Sequence, residues 1–411
     1  MKLFLTSSII FFSLLSVHAS EQEVTQMELK IEEPELVIDE SVAEIQEPKF
    51  HVVPSARVLI DGALYASPQK QMFKDGMAIP EARLGVKMNY GKWNSWIDFG
   101  FAYGKIGLRN MWVEYSFNEH NVVRVGNFIQ PFGLQSTSTM SVKSTFEAPL
   151  AAMPFTPGIQ LGGMFTHVSP LFLSATSFHM ESSALTNIMN YPLFNQQGYS
   201  IISRFVLRKP NSGKNGQPVL QVGISGSFSS PQRRIVGDED IHDGFSLSAN
   251  FPTRVTTLEA VGETVGNSMN SFKFSPEFIV AYKRFALEGA YYFQQVNRRQ
   301  NLRHYQAQSG YVTFRTMLTG GDYGYSHELG DVVYPKKNAL EFALDYNYAT
   351  LSDAKAGIYG GRANSFNATL NYYFNPYITA RLNYTYTHTW DHAGYIPMTL
   401  NGFQARIMVL F

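Results

Sequence analysis

The stretch Glu81-Ala82-Arg83-Leu84-Gly85-Val86-Lys87-Met88-Asn89-Tyr90 decides the fold. Every odd position is polar or glycine, and every even position is apolar. A period of two is the signature of a strand with two unlike faces. The turn Gly91-Lys92 follows, and the alternation resumes with Ile97, Phe99 and Phe101 against Asn94, Asp98 and Gly100. The same split recurs at Glu341/Asp345/Asn347 against Leu340/Phe342/Leu344/Tyr346, and at Thr379/Arg381/Asn383/Thr385 against Ile378/Ala380/Leu382/Tyr384.

Between these runs, some connections are short (118–120, 335–338, 375–376). Others are long (67–79, 130–158, 181–197, 230–243, 297–308, 351–363, 389–400). Short turns at one end, long loops at the other, and strands with one apolar and one charged face predict a transmembrane β-barrel. Such a barrel keeps apolar side chains toward lipid, polar ones toward a wet lumen, and pairs its backbone by closure. A soluble sandwich would need apolar faces only where its sheets pack together. Here the aromatic and aliphatic faces recur on almost every strand, and the 31 Phe and 23 Tyr supply them. Seventeen runs between 57–66 and 401–411 read as strands, with 244–252 among them and 253–264 as a further candidate. Barrels with both termini on one side have an even count, so the expectation is all-β with 16 or 18 strands.

The N-terminal residues 1–19 read as a signal peptide. Lys2 precedes the apolar stretch Leu3–Val17, and Val17-His18-Ala19 forms a small-residue cleavage site. Residues 20–50 hold ten acidic and two basic residues, which predicts a solvated, weakly ordered periplasmic extension over 20–52. The barrel domain is then 53–411. Residues 51–411 carry 30 bases and 23 acids, an excess of positive charge. Cysteine is absent, which removes disulfides, thiolate metal sites and a lipoprotein anchor from consideration. Nothing in the chain predicts a cofactor, nucleic-acid binding, or a catalytic or metal centre. His388 and His392 are four apart, but Trp390-Asp391 between them reads as loop, and no nucleophile or phosphate-loop motif is present.

The segment Gln130–Gly158, QPFGLQSTSTMSVKSTFEAPLAAMPFTPG, is the longest connection within the regular region and has only Lys143 and Glu147 charged. So apolar a loop predicts folding against the inner wall, where it narrows the channel. Strand parity points Arg83, Lys87, Arg124, Arg204, Arg208, Lys273, Lys283, Arg315, Arg381 and Arg406 into the lumen. It points Asp61, Glu81, Asp98, Glu114, Glu277, Glu288, Glu341 and Asp345 there too. A basic surplus in a narrow pore predicts a mild preference for small anions. Lys143 and Arg124 are the first expectations for the narrow zone, with Arg83 and Lys87 beside them. Arg204, Arg208, Arg315 and Arg381 complete the expected anion pathway.

The C-terminal alternation Phe403, Ala405, Ile407, Val409, Phe411 resembles the terminal signal of bacterial outer-membrane proteins, read by their assembly machinery. With the signal peptide it implies a Gram-negative outer membrane. Several stretches resemble the phosphate-selective porin O and P family. They are Val125-Gly126-Asn127-Phe128-Ile129-Gln130-Pro131-Phe132-Gly133 with the Ser/Thr run to Phe146-Glu147, Ala286–Tyr291, Ala339–Tyr346, Asn371–Tyr377, and the close on Phe403–Arg406. The resemblance spans about residues 55–411 and implies a 16-stranded barrel, a homotrimer, an inward third loop, and passive diffusion of anions with phosphate as the type substrate. Where the family's loop often carries a basic residue after its Glu, this chain has Ala148. The alternatives are a non-selective diffusion porin, a surface adhesin using the acidic arm or loops, and a barrel-housed lipid enzyme.

Overall fold

The structure, a computed structural model, describes residues 49–411 apart from 103–104, 138–139, 141, 181–196, 214–215, 237–238, 243 and 336. The expected signal peptide, the acidic segment to residue 48, and most of the expected loop 181–197 lie outside the described residues.

Sixteen antiparallel strands close into one barrel. In chain order, barrel strands 1–8 are Phe50–Tyr65, Gly76–Tyr90, Trp93–Ala102, Lys105–Ser116, Asn121–Ile129, Ile159–Val168, Phe172–Met180 and Tyr199–Arg208. Strands 9–16 are Val219–Ser230, Ser268–Tyr282, Phe285–Arg298, Tyr305–Thr319, Ala339–Asp353, Ile358–Tyr373, Ile378–His392 and Met398–Leu410. Strand 1 pairs with strand 16 from Arg57↔Leu410 to Tyr65↔Gly402, which closes the sheet and leaves no seam edge over that span. The first strand starts at Phe50, three residues before the expected domain boundary.

The period-two reading is realised in burial. Leu84, Val125, Phe205, Val222, Leu382 and Phe403 are exposed on the outer wall, while Glu81, Asp98, Arg204, Glu277, Asp345 and Arg381 are buried inside it. Phe411 ends the outer stripe, 73% exposed, and exchanges backbone hydrogen bonds with Ala56. The end that carries Phe50 and Phe411 also carries the tight connections 91–92, 283–284 and 374–377, so it is the periplasmic end.

The strand count departs from the sequence reading in one region. The candidates 244–252 and 253–264 are not wall strands. Phe245–Asn250 pairs with Glu259–Val265 as a separate two-stranded hairpin in the connection between strands 9 and 10. Its alternation is real, but the apolar face packs into the barrel mouth. Leu247, Phe251, Val261 and Val265 join Tyr65, Phe73, Leu351 and Leu400 in one buried cluster. Period two reports a half-buried strand and does not say whether lipid or protein covers it. Four expected long loops are also shorter than read: strand 2 starts at Gly76, strands 11 and 12 run to Arg298 and from Tyr305, strands 13 and 14 run on to Asp353 and from Ile358, and strand 15 runs to His392. Trp390-Asp391 is therefore strand and not loop. The wall extends upward here to support the hairpin.

At the periplasmic end, the sequence suggests only a short turn at 335–338, but the connection between strands 12 and 13 spans 320–338. It holds a small hairpin, Gly324–Ser326 with Asp331–Val333, that turns inward. Tyr323, Asp331 and Val332 are buried, and Tyr334 stacks on Tyr373 of strand 14 at 3.9 Å.

Candidate solute pathway

The third extracellular loop, between strands 5 and 6, lies inside the barrel. Phe132, Leu134, Phe146, Leu150 and Phe155 are each at most 1% exposed, and burying each such side chain contributes about 1.5–3 kcal/mol. Its backbone is held by wall side chains. Arg381 donates to the carbonyls of Met140 (3.2 Å), Lys143 (2.6 Å) and Thr145 (2.9 Å). Asn371 donates to Ser144 O, Arg406 to Phe146 O, Lys273 to Phe155 O and Ser309 to Ala151 O. Asn347 accepts from Ala151 N–H. A loop without regular structure leaves many backbone groups to satisfy, and the polar inner wall satisfies them.

Several of the expected pathway residues belong to this set of wall-to-loop contacts. Arg381 is a fastener for the loop. Arg315 donates to Glu288 at 2.9 Å and to Glu341 at 3.3 Å. Arg204 pairs with Glu277 at 2.5 Å and donates to Leu329 O on the periplasmic hairpin. Arg208 donates to Ser169 O, His327 O and the Tyr325 hydroxyl, which ties the hairpin to the turn between strands 6 and 7. All four arginines are at most 2% exposed. Lys143 is on the loop, 9% exposed, and its Nζ donates to Gln135 O and Oε1. Burial lowers its ammonium to about 8, against the opposing pull of Asp331, Glu288 and Glu147.

The other three expected residues have a different setting. Arg83, Lys87 and Arg124 stand on strands 2 and 5 and, among the described residues, donate to none of the third loop's carbonyls. Lys87 is exposed and lies 5.1 Å from the Trp96 ring. Arg124 stacks at 4.2 Å on Trp112 and pairs with Glu114 at 2.6 Å. Trp112 is let into the wall by Gly126 on the next strand, at φ +137; a Cβ there would sit 2.3 Å from Met111 O. That requirement explains one glycine of the Val125–Gly133 stretch.

Arg83, Arg57 and Arg254 form a cluster around Glu81 and Glu147. Arg83 meets Glu81 at 3.2 Å and Asp98 at 3.6 Å, and Arg57 also donates to Glu81. Arg254, from the fifth loop, meets Glu147 at 2.8 Å and Glu81 at 3.9 Å. Arg406, backed by Asp61 at 2.6 Å, reaches Glu147 from behind. The charges nearly balance, but their exposures do not. The side chains of Arg57, Arg83 and Arg254 are 12%, 18% and 28% exposed, against 8% for Glu81, 6% for Glu147 and 2% for Asp98. The cations stand in front and the carboxylates behind. Burial alone would raise Glu147, yet the charges of Arg254 and Arg406 hold it below the usual carboxylate value.

Arg57, Arg109 and Arg254 are lumen bases beyond the expected set. Arg57 follows the odd parity of its own strand and was legible. Arg109 lies over Gly100 because of a bulge between strands 3 and 4, where Ile97↔Met111 gives way to Phe99↔Leu108. Such a bulge shifts parity. Arg254 is on a loop, and no periodic signal points to it. It supplies a base to Glu147 although Ala148 follows that residue in the chain.

A sequence model of the family described as phosphate-selective porin O and P matches residues 57–411. No curated protein matches the chain. Among solved structures, it is similar to the in-vitro folded outer membrane protein OmpT of Vibrio cholerae in its trimer form, with TM-score 0.55 and 10% identity over 88% of this chain and 99% of that one. It is similar to OprB of Pseudomonas putida, with TM-score 0.51 and 8% identity over 88% and 94%. It is also similar to OmpF of Salmonella typhi in complex with daunomycin, with TM-score 0.50 and 11% identity over 88% and 97%. At these identities the likeness is one of fold.

Proposed function

The chain belongs to the phosphate-selective porin O and P family, outer-membrane porins, and from that premise we propose that it conducts small anions, phosphate among them, by passive diffusion. The observation that carries the reading is the arrangement at Glu81 and Glu147. Guanidinium groups of Arg57, Arg83 and Arg254 stand forward of the carboxylates they neutralise. A solute passing them meets donors and positive charge first, and a lumen with low-dielectric walls focuses that field. Lys87, Arg109 and Arg124 extend the basic face along strands 2, 4 and 5. Lys143, Arg204, Arg208, Arg315 and Arg381 act on the pathway indirectly, by fixing the loop and the hairpin that narrow it.

We assign the chain to a homotrimer, as the trimer form of the Vibrio cholerae relative suggests, and to a passive channel without an enzymatic step. Residues 1–19 serve as signal peptide, and Phe411 serves the assembly machinery. Reversal potential in a planar bilayer under a KCl gradient tests anion conduction, and added phosphate tests for a site. Chloride preference with phosphate block of chloride current is the expected result; a cation preference would overturn the reading.

A further inference from the structure

We propose that the outer wall of barrel strands 10–12, at the extracellular end, is a docking site for a phosphorylated glycolipid of the outer leaflet. This surface faces lipid and not the lumen, so the inference stands apart from the solute the pore conducts. On strand 11, Phe285, Leu287, Tyr291 and Phe293 share the outward face. From Phe285 to Phe293 the strand rises about 26 Å along its own axis, or about 20 Å along the membrane normal at the usual tilt. That is most of the apolar band of such a barrel, so the hydrocarbon ends near Phe293.

Above that level the same face turns to amides. Asn270 and Asn297 are cross-strand partners, as are Gln295 and Gln306. Asn297 Nδ2 donates to Asn270 Oδ1 at 2.7 Å, Gln295 Nε2 to Asn297 Oδ1 at 2.9 Å, and Gln306 Nε2 to Gln295 Oε1 at 3.0 Å. One outward residue lower, Gln308 Oε1 accepts from the Tyr291 hydroxyl at 2.7 Å. Outward amides inside hydrocarbon would be costly, and these begin where the apolar band stops. Gln306 and Gln308 are exposed, and Gln306 Oε1 and Gln308 Nε2 have no hydrogen-bond partner among the described residues. An acceptor and a donor therefore remain for the hydroxyls of a ligand. Three strands at about 4.8 Å spacing make the amide patch about 10 Å wide, the length of a disaccharide. Exposed Phe272 and Phe274 lie beside and below it and offer an apolar surface to acyl chains.

The turn above the amides carries the charge. Strand 11 ends on Arg298, and Arg299 and Arg303 follow; no acidic residue lies between Asn297 and Gln308. Leu302 N–H donates to Arg299 O at 3.1 Å, with Gln300 and Asn301 left-handed at φ 57° and 56°, so the turn is tight and keeps its bases at the rim. The side chains of Arg303 and His304 are exposed and make no hydrogen bond or ion pair among the described residues. The nearest carboxylate on the neighbouring turn, Asp353, spends its oxygens on the N–H groups of Gln306, Lys355 and Ala356. Aromatic, amide and guanidinium thus follow one another up a single outer face. That order suits acyl chain, sugar and phosphate, and the bare bases complement phosphate charge. A phospholipid headgroup would leave the amide patch unused.

The test uses the purified full-length mature porin, stripped of bound lipid and titrated in detergent under native mass spectrometry. The probes are diphosphoryl lipid A, its dephosphorylated form and phosphatidylglycerol. Wild type should bind diphosphoryl lipid A at least tenfold more tightly than either of the others. The combined change Arg299→Gln, Arg303→Gln, His304→Gln should weaken it about tenfold or more. Gln306→Ala with Gln308→Ala should cut the preference over phosphatidylglycerol by about threefold. Arg284→Gln, an exposed base at the periplasmic end, should change nothing. Heat-modifiable gel mobility shows that each variant is folded, and chloride conductance should stay at the wild-type value in all of them. Equal binding of phosphatidylglycerol, or lipid A binding kept by the triple variant or lost equally in Arg284→Gln, overturns the proposal. The chain has no cysteine, so Gln308→Cys reports on a protein neighbour: disulfide-linked pairs would put a second copy on this face and overturn it as well.

Discussion

Arg57 and Arg83 are direct cross-strand partners on the inner wall, and their guanidinium groups share one carboxylate, Glu81. Like charges placed opposite each other repel, so the pair depends on the anion between them. Arg254 adds a third cation to the same group. Glu81→Gln should leave these cations under-neutralised and raise chloride over potassium permeability by about twofold or more. Reversal potential reads it. An unchanged potential would mean that the cluster is not on the conducting path.

Arg381 holds the third loop through three of its carbonyls. In Arg381→Met those carbonyls lose a charged donor, at about 1–3 kcal/mol each if no water replaces it. Single-channel conductance should rise and become noisy as the loop leaves the wall. A variant with wild-type conductance and quiet traces would show that the remaining fasteners suffice.

The periplasmic hairpin should respond to pH through Asp331. Burial lifts its carboxyl from 3.8 to about 7; Glu288 pushes the same way, and Arg315 and Lys143 oppose. Its charge also bears on Arg204 and Tyr325. A folded-state value above the unfolded one means that stability is fully present below about pH 4 and is lost as pH rises toward 7. The shift caps the effect at about 4 kcal/mol. Hydrogen exchange over 320–338, corrected for its intrinsic pH dependence, should accelerate from pH 5 to pH 8. Asp331→Asn should flatten that change; a slope that survives the substitution would assign it to another group.

Gly126 at φ +137 faces Met111 O and Trp112 across the strand pair. Gly126→Ala puts a Cβ where backbone already sits, and strand separation must give way. The yield of heat-modifiable, folded barrel should fall severalfold. Any folded fraction should lose the Arg124–Trp112 stacking, seen as altered tryptophan fluorescence. A normal yield would mean that the strands can spread at this point without loss.

The alternation from Glu81 to Tyr90, recurring from run to run between short and long connections, determined the barrel class and, away from bulges, the side of the wall on which a wall-strand residue lies. Side chains two apart share a face, and lipid on one side with water on the other sorts them by polarity. The apolar character of 130–158 likewise determined that this loop needed a wall to pack on. Which lumen cations meet the solute was not legible. Arg83 and Arg381 have the same parity and chemistry. Only one is covered, because the third loop lies across strands 10–16 and the periplasmic hairpin fastens to Arg204 and Arg208. Arg254 reaches Glu147 from a loop more than 100 positions away, and the strands at 245–265 alternate like wall strands while packing inside the mouth. Periodicity is a local property of the chain and reports the face a residue presents. Exposure inside a pore is decided by what distant segments lie over that face, and that was decided by the tertiary structure alone.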